Sequence, residues 1–429
     1  MLFQRTLLLA AAFVGFIFLG QAADPSSDWP QFRGPNQSGI APNSPDNKVF
    51  AELPAGGLKP VWKVKTGAGF AGPVVADGKV FVFQREGDDA ILVALGANDG
   101  KEIWRFSYPT DYVDDFGFDN GPRACPTVSG DKVFIHGADG MLHAVDAKTG
   151  KLVWKVDTVK DFKSPKGWFG RACAPVVVDG NVVLNIGGKN DKGGAGIVAF
   201  DVATGKLVWQ ATDDEASYST PLILLGNPKA KTPGQLFCWT RAAVELLSAP
   251  NGKSLWKQPF RSRQDASVNA CQPVDCGDGQ VFVSAAYNVG AALWRIEAAA
   301  EKEKKVTQVW AKQGVLDCHY GTPVYHDGYL YGFHGRQEQG QEFRCIDAKD
   351  GSMKWTSGRI SPGTVILADE KLLLLTEQGE LIVAAAKPDA WKELWRDQAV
   401  SAGNRAPAAF AGGYFYARGA GEVSCFKLK

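Results

Sequence analysis

Ten polar and aromatic residues stand just ahead of short apolar stretches that open on proline. They are Asn120 and Arg123 before Pro126, Trp168 and Arg171 before Pro175, Tyr218 before Pro221, Asn269 before Pro273, His319 and Tyr320 before Pro323, and Asn404 and Arg405 before Pro407. Guanidinium, amide, imidazole and phenol groups are mostly hydrogen-bond donors, and the guanidinium fork matches carboxylates in particular. Gathered round one point, they would suit an anionic or carbonyl-rich ligand, or a peptide segment. The arginines have a second reading: Arg123, Arg171 and Arg405 can instead hold backbone carbonyls between neighbouring structural units. No Ser/His/Asp nucleophile arrangement is readable in the chain, so no catalytic residue is assigned.

The other candidates for chemistry are weaker. Gly252-Lys253-Ser254 imitates the end of a phosphate loop, but Leu247 stands where such a loop needs glycine. Gly193-Gly194-Ala195-Gly196 lacks the third glycine of a dinucleotide fingerprint. Asp114, Asp115, Asp119 and Asn120 carry oxygens for calcium without the spacing of a calcium loop. His136 and His143 flank a hairpin and are expected to face each other as a cross-strand pair, with no metal assigned. Eight cysteines are spread over positions 125 to 425 with no Cys-x-x-Cys and no adjacent pair. They read as small core residues, and their pairing is not deducible from sequence.

What must position these residues is a repeat. Asp146-Ala147-Lys148-Thr149-Gly150-Lys151-Leu152-Val153-Trp154 recurs as Asp201-Val202-Ala203-Thr204-Gly205-Lys206-Leu207-Val208-Trp209. Trp62, Trp104, Trp256, Trp310, Trp355 and Trp395 end similar stretches, at spacings of 40 to 55 residues. Self-similarity at such a period marks a repeat architecture. Each unit holds a proline-led strand, a tight turn such as Asp77-Gly78, Asp179-Gly180 or Asp327-Gly328, a β-branched strand, a variable loop, a third strand and the tryptophan strand. Four short antiparallel strands per unit predict a propeller blade. Residues 406–427 supply three strands without a tryptophan, while Val61-Trp62-Lys63-Val64 is a tryptophan strand with none before it. Joining them gives an all-β, eight-bladed propeller closed by its own ends, each tryptophan on an outer strand wedged against the next blade. The ten polar residues then ring one mouth of the central channel, beside the variable loops Gln84–Asp89, Gly187–Gly196 and Gly335–Glu342.

The ends and the composition set the setting. Arg5, an apolar run from Leu7 to Gly20 and Gln21-Ala22-Ala23 predict a signal peptide over 1–23, too short for a membrane span. Residues 24–57, with Asp28-Trp29-Pro30-Gln31-Phe32-Arg33-Gly34-Pro35-Asn36, predict an extended arm that packs its aromatics on the body and runs loose after Gly39. The propeller follows over 58–429. A net charge of +1 argues against nucleic acid as a partner. The expectation is a periplasmic or otherwise extracytoplasmic monomer, not inserted in the membrane once the signal is removed.

The turn-plus-tryptophan unit resembles the docking motif of the pyrroloquinoline-quinone-like β-propeller repeat family, over essentially all of residues 58–429. Two functional classes share that fold. One is similar to quinone-dependent alcohol or sugar dehydrogenases, whose larger versions hold the quinone and a calcium ion on the axis under an adjacent disulfide-bonded Cys pair, with an Asp as base. This chain lacks the adjacent pair and a haem domain, and is shorter. The other resembles the propeller lipoprotein of the outer-membrane barrel-assembly machinery, a non-catalytic scaffold, from which this chain departs by lacking a lipid-attachment Cys. The resemblance implies a scaffold for another envelope protein, or a receptor for a small ligand at the channel mouth, with no cofactor of its own. The alternative it implies is a dehydrogenase using pyrroloquinoline quinone with calcium.

Overall fold

The computed structural model describes residues 27–226, 233–297 and 305–429. Residues 1–23, expected to be a signal peptide, and most of the charged insertion after Glu297 lie outside the described residues. Strands form eight four-stranded antiparallel sheets, and in seven of them the order in space is the order in sequence. Their first strands, from Val74–Ala76 in blade one to Ala409–Ala411 in blade eight, line the axis and neighbour one another round it. The ring closes where the sequence requires it. Pro60–Lys65 pairs antiparallel with Glu422–Lys427, setting Trp62 opposite Cys425 and Val64 opposite Val423. The turns behave as their residues dictate: Asp77-Gly78, Asp179-Gly180 and Asp327-Gly328 have positive φ at both positions, which Gly tolerates at little cost.

The tryptophans weld blade to blade. Six indole N–H groups donate to a carbonyl in the turn of the next blade, among them Trp62 to Ala97 at 2.8 Å, Trp104 to Ala147 at 3.2 Å, Trp154 to Val202 at 3.0 Å and Trp209 to Ala249 at 3.0 Å. Trp310 and Trp355 reach Ala348 and Lys387 at 2.9 and 2.8 Å. The turn glycine lies flat under the ring. A Cβ on Gly150 would stand 2.7 Å from Trp104, and one on Gly205 2.6 Å from Trp154. That is why the turn needs glycine, beyond its positive φ. Trp256 departs from the pattern: it is only half-buried and packs on Trp294 at 5.0 Å.

The arm differs from expectation after Gly39. It stays ordered along the body: Ala41 N–H donates to Leu367 at 2.8 Å, Asn47 and Val49 are buried, and Phe50 N–H donates to Leu428 at 2.7 Å. Enough of its amides find partners on the inner strands to hold it there. Trp29 pairs with Val75 in blade one, Pro30 accepts from Val128 in blade two, and the Gln37 amide bonds Pro221 and Ile223 in blade four. Arg33, 6% exposed, spends its guanidinium on the carbonyls of Gln37, Ser38, Thr322 and Pro323. The arm thus crosses the channel and ties together blades on opposite sides of the ring.

Candidate functional site

One wall of the mouth is built around a buried carboxylate. The Asp114 side chain is fully buried and accepts from the backbone N–H groups of Phe118 at 2.7 Å, Asp119 at 3.1 Å and Phe116 at 3.4 Å. Arg123 meets it at 3.3 Å and also donates to the Gly121 and Asp119 carbonyls. Asn120 accepts from Asp114 N–H at 2.8 Å. These acidic residues therefore wind a loop, and what the loop presents is aromatic. Phe116 and Phe118, each 51% exposed, cluster with Phe169 at 5.1 and 6.0 Å, and Trp168 lies 6.1 Å from Phe116.

The facing wall comes from blades five to seven. His319 is bonded on both ring nitrogens, to Tyr287 Oη at 2.8 Å through Nε2 and to the Gln337 amide through Nδ1. Burial holds its pKa below the ordinary histidine value, which keeps it neutral near pH 7. Arg336 lies over the Tyr287 ring at 4.6 Å and pairs with Glu338 at 3.2 Å. Tyr320 donates to Glu377 at 2.7 Å, and Arg405 pairs with the same carboxylate at 2.9 Å while lying over Phe118 at 5.0 Å. Burial pushes the Tyr320 phenol well up, so it remains a donor. Phe32 of the arm is the floor. The walls enclose a cavity of about 460 Å³, lined chiefly by aromatic and aliphatic side chains, within the range of small-molecule sites.

Of the ten residues singled out in the sequence, Arg123, Trp168, Tyr218, His319, Tyr320 and Arg405 line this cavity. Arg171 and Asn269 line a neighbouring chamber with Trp168 and Tyr218. Arg171 is taken up by Ser164 and the carbonyls of Ala138 and Asp139. Asn404 binds the Gly69 carbonyl at 3.1 Å and its own turn, and lines neither. The mouth differs from a ring of cations, because each guanidinium on it meets a carboxylate: Arg123 with Asp114, Arg405 with Glu377, Arg336 with Glu338. Sequence reasoning missed Phe70, Phe116, Phe118, Tyr287 and the floor, Phe32. The signal for two of them was the Asp-Phe-Gly-Phe-Asp run at 115–119, two aromatics with no strand pattern to bury them. His136 and His143 do not face each other. In the hairpin His143 pairs with Ile135 and His136 with Leu142, which puts the two rings on opposite faces. His136 bonds the Cys173 carbonyl at 3.1 Å, and His143 packs on Tyr108 at 4.2 Å. All eight cysteines are buried free thiols; Cys125 lines the cavity, and burial pushes its pKa up to about 12.

A calcium ion wants six to eight oxygens, several of them carboxylate. Around this cavity Asp114, Glu377 and Glu338 are each already paired with a guanidinium. Among the described residues the sole cluster of three His, Cys, Asp or Glu is His326, Asp327 and Glu370, which is not part of the cavity lining. The carboxylates of Asp114, Glu377 and Glu338 are therefore engaged and not free to ligate a calcium ion.

The sequence profile described as outer membrane protein assembly factor BamB matches residues 52–212 and 88–357. The chain belongs to this family of pyrroloquinoline-quinone-like propellers. It is similar to quinohemoprotein alcohol dehydrogenase ADH-IIG of Pseudomonas putida, 33% identical over 171 residues, which is 38% of this chain and 21% of that protein. It is also similar to outer membrane protein assembly factor BamB of Moranella endobia, 23% identical over 268 residues, 60% of this chain and 63% of that one. In three dimensions it matches quinohemoprotein alcohol dehydrogenase from Comamonas testosteroni with a TM-score of 0.62 at 16% identity, over 95% of this chain and 81% of the other. At that identity the likeness is one of fold. The match to the Pseudomonas putida dehydrogenase spans about a fifth of that protein's length. No helix among the described residues is long and apolar enough to cross a membrane.

Proposed function

We propose that this protein is a non-catalytic binding module of the cell envelope, exported by its signal peptide, whose channel mouth takes a flat, largely apolar ligand. The observation that carries this is the cavity of about 460 Å³ floored by Phe32 and walled by Phe116, Phe118, Phe169 and Tyr287. Apolar area removed from water supplies the affinity, roughly 25 cal/mol per Å². The paired guanidinium groups and the amide N–H groups of Gln337 orient a carbonyl-bearing edge. The carboxylates of Asp114, Glu377 and Glu338 are each tied to an arginine, which favours a binding role for them over that of a free general base. The test is equilibrium binding of 2-naphthoic acid by the full chain, followed by fluorescence. Phe116→Ala with Phe118→Ala should weaken it at least about tenfold without shifting the melting temperature, since both rings are half exposed. No binding by the wild type, or quinone- and calcium-dependent oxidation of alcohols, would end this reading.

A second reading has one feature in its favour. Phe116, Phe118 and Trp168 form an aromatic rim open to solvent, of the kind that anchors protein partners. Another envelope protein would then insert a side chain or peptide into the same mouth. Retention of such a partner by the wild type and its loss from the Phe116→Ala, Phe118→Ala protein would favour it.

A further inference from the structure

Beside the central cavity lies a second chamber of about 270 Å³, between the links that enter blades three and four. Trp168 and Tyr218 stand between the two and line both. Asn185, 2% exposed, reaches the chamber from blade three. Its Nδ2 donates to Ser217 Oγ at 3.1 Å and to the Trp239 carbonyl at 3.3 Å. Those bonds fix the amide, because turning it over would set oxygen against a carbonyl oxygen. Oδ1 is left buried without a partner. Arg241 donates through its two terminal nitrogens to Glu215 at 2.5 Å and to the Asp265 carbonyl at 2.6 Å, and its buried Nε has no partner. Tyr218 Oη accepts from Trp168 and Phe169 N–H at 2.8 and 2.9 Å, which leaves its own proton to give. The donors of Arg171 are already taken by Ser164 and two carbonyls.

The chamber thus presents one unspent acceptor and two unspent donors, and Glu215 offsets the charge of Arg241. An unsatisfied buried polar atom costs about 1–3 kcal/mol, which a matched ligand recovers. A carboxylate would set oxygen against Asn185 Oδ1 and Glu215, and an ammonium would leave Arg241 and Tyr218 unmatched. A hydroxyl both donates and accepts. We propose that this chamber is a second binding site, independent of the central cavity, for an uncharged hydroxylated ligand of the saccharide class, its ring edge against Trp168 and Tyr218.

Methyl α-D-glucopyranoside and glycerol are the probes, with acetate and methylammonium as charged controls, titrated into the full chain by saturation-transfer NMR and calorimetry. The wild type should bind the glucoside more tightly than glycerol and neither ion. Asn185→Ala and Arg241→Lys should each weaken it about tenfold. Arg241→Lys keeps the charge beside Glu215, so it reports on Nε even if Asn185→Ala fails to fold. Occupying the central cavity with 2-naphthoic acid should leave glucoside binding unchanged, so either reading can fail without the other. No glucoside binding, equal binding of acetate, or unchanged affinity in Arg241→Lys would each overturn the assignment and leave a chamber that holds water alone.

Discussion

Replacing Arg33 tests whether the arm is a fixed part of the propeller. The side chain gives hydrogen bonds at 3.1, 3.0, 2.6 and 2.7 Å to the carbonyls of Gln37, Thr322, Ser38 and Pro323. Bonds from a charged donor contribute about 1.5–3 kcal/mol each, net of lost hydration, so the two that reach the body, to Thr322 and Pro323, come to roughly 4 kcal/mol. The other two stay within the arm. Arg33→Met returns some of this as apolar contact, so an arm less firmly docked by about 3 kcal/mol is expected. The loss should be local, because eight sheets remain paired without it. Amide exchange reads it directly. The N–H groups of Trp29, Ala41 and Leu367 bridge arm and body and should exchange at least about a hundredfold faster. Those inside Val281–Ala285 should not change. Equal acceleration in both places would mean that the arm is part of one global unit, and no acceleration would mean that the guanidinium holds nothing.

Two further perturbations probe the scaffold. Gly205→Ala adds a Cβ 2.6 Å from Trp154 at φ +68, whereas Gly78→Ala adds one at φ +69 with nothing within 4 Å. The first should cost about 2–3 kcal/mol and the second about 1 by urea unfolding, and equal losses would refute the ring-on-glycine account. His136 and His143 are buried, and desolvation lowers both pKa values from 6.5 to about 4. The unfolded chain then binds more protons than the fold between those values, so stability is full above pH 6.5 and falls as pH drops towards 4, by about 3 kcal/mol per histidine. His143→Phe, which keeps the stacking on Tyr108, should remove about half of the fall in the urea midpoint from pH 7 to 4.5, and an unchanged slope would show that the His143 imidazole is not a source.

How much of this was legible depended on whether a residue's role is local or shared. Gly205, Lys206 and Trp209 announce their strand because turn, pleat and ring belong to one stretch of chain. The period then counts the blades, and the orphan strand at Trp62 closes the ring without any distance being known. The mouth was legible only in part. Links before inner strands must converge on an axis, so Arg123, His319 and Arg405 could be placed there. What those groups do once there depends on Asp114 in the same link as Arg123, Glu338 beside Arg336, and Glu377 brought in from blade seven, pairings that no repeat pattern announces and that turn charged donors into neutral pairs. Phe32 was hidden for the same reason. An arm without strand periodicity gives no indication that it enters the channel.

That arm solves a difficulty which ring closure creates. Each docking tryptophan needs a turn in the following blade, supplied between that blade's third and fourth strands. In blade eight those two strands are Glu422–Lys427 and Pro60–Lys65, far apart in sequence, so no turn joins them to receive Trp395. The arm stands in its place. The Trp395 indole donates to the Phe50 carbonyl at 3.4 Å, and the two rings stack at 5.1 Å. Upstream, the same segment carries Phe32 to the cavity floor. A single stretch of some thirty residues therefore completes the interface between blades seven and eight and also closes the cavity from below, so the seam of the ring and the depth of the cavity depend on one docking event.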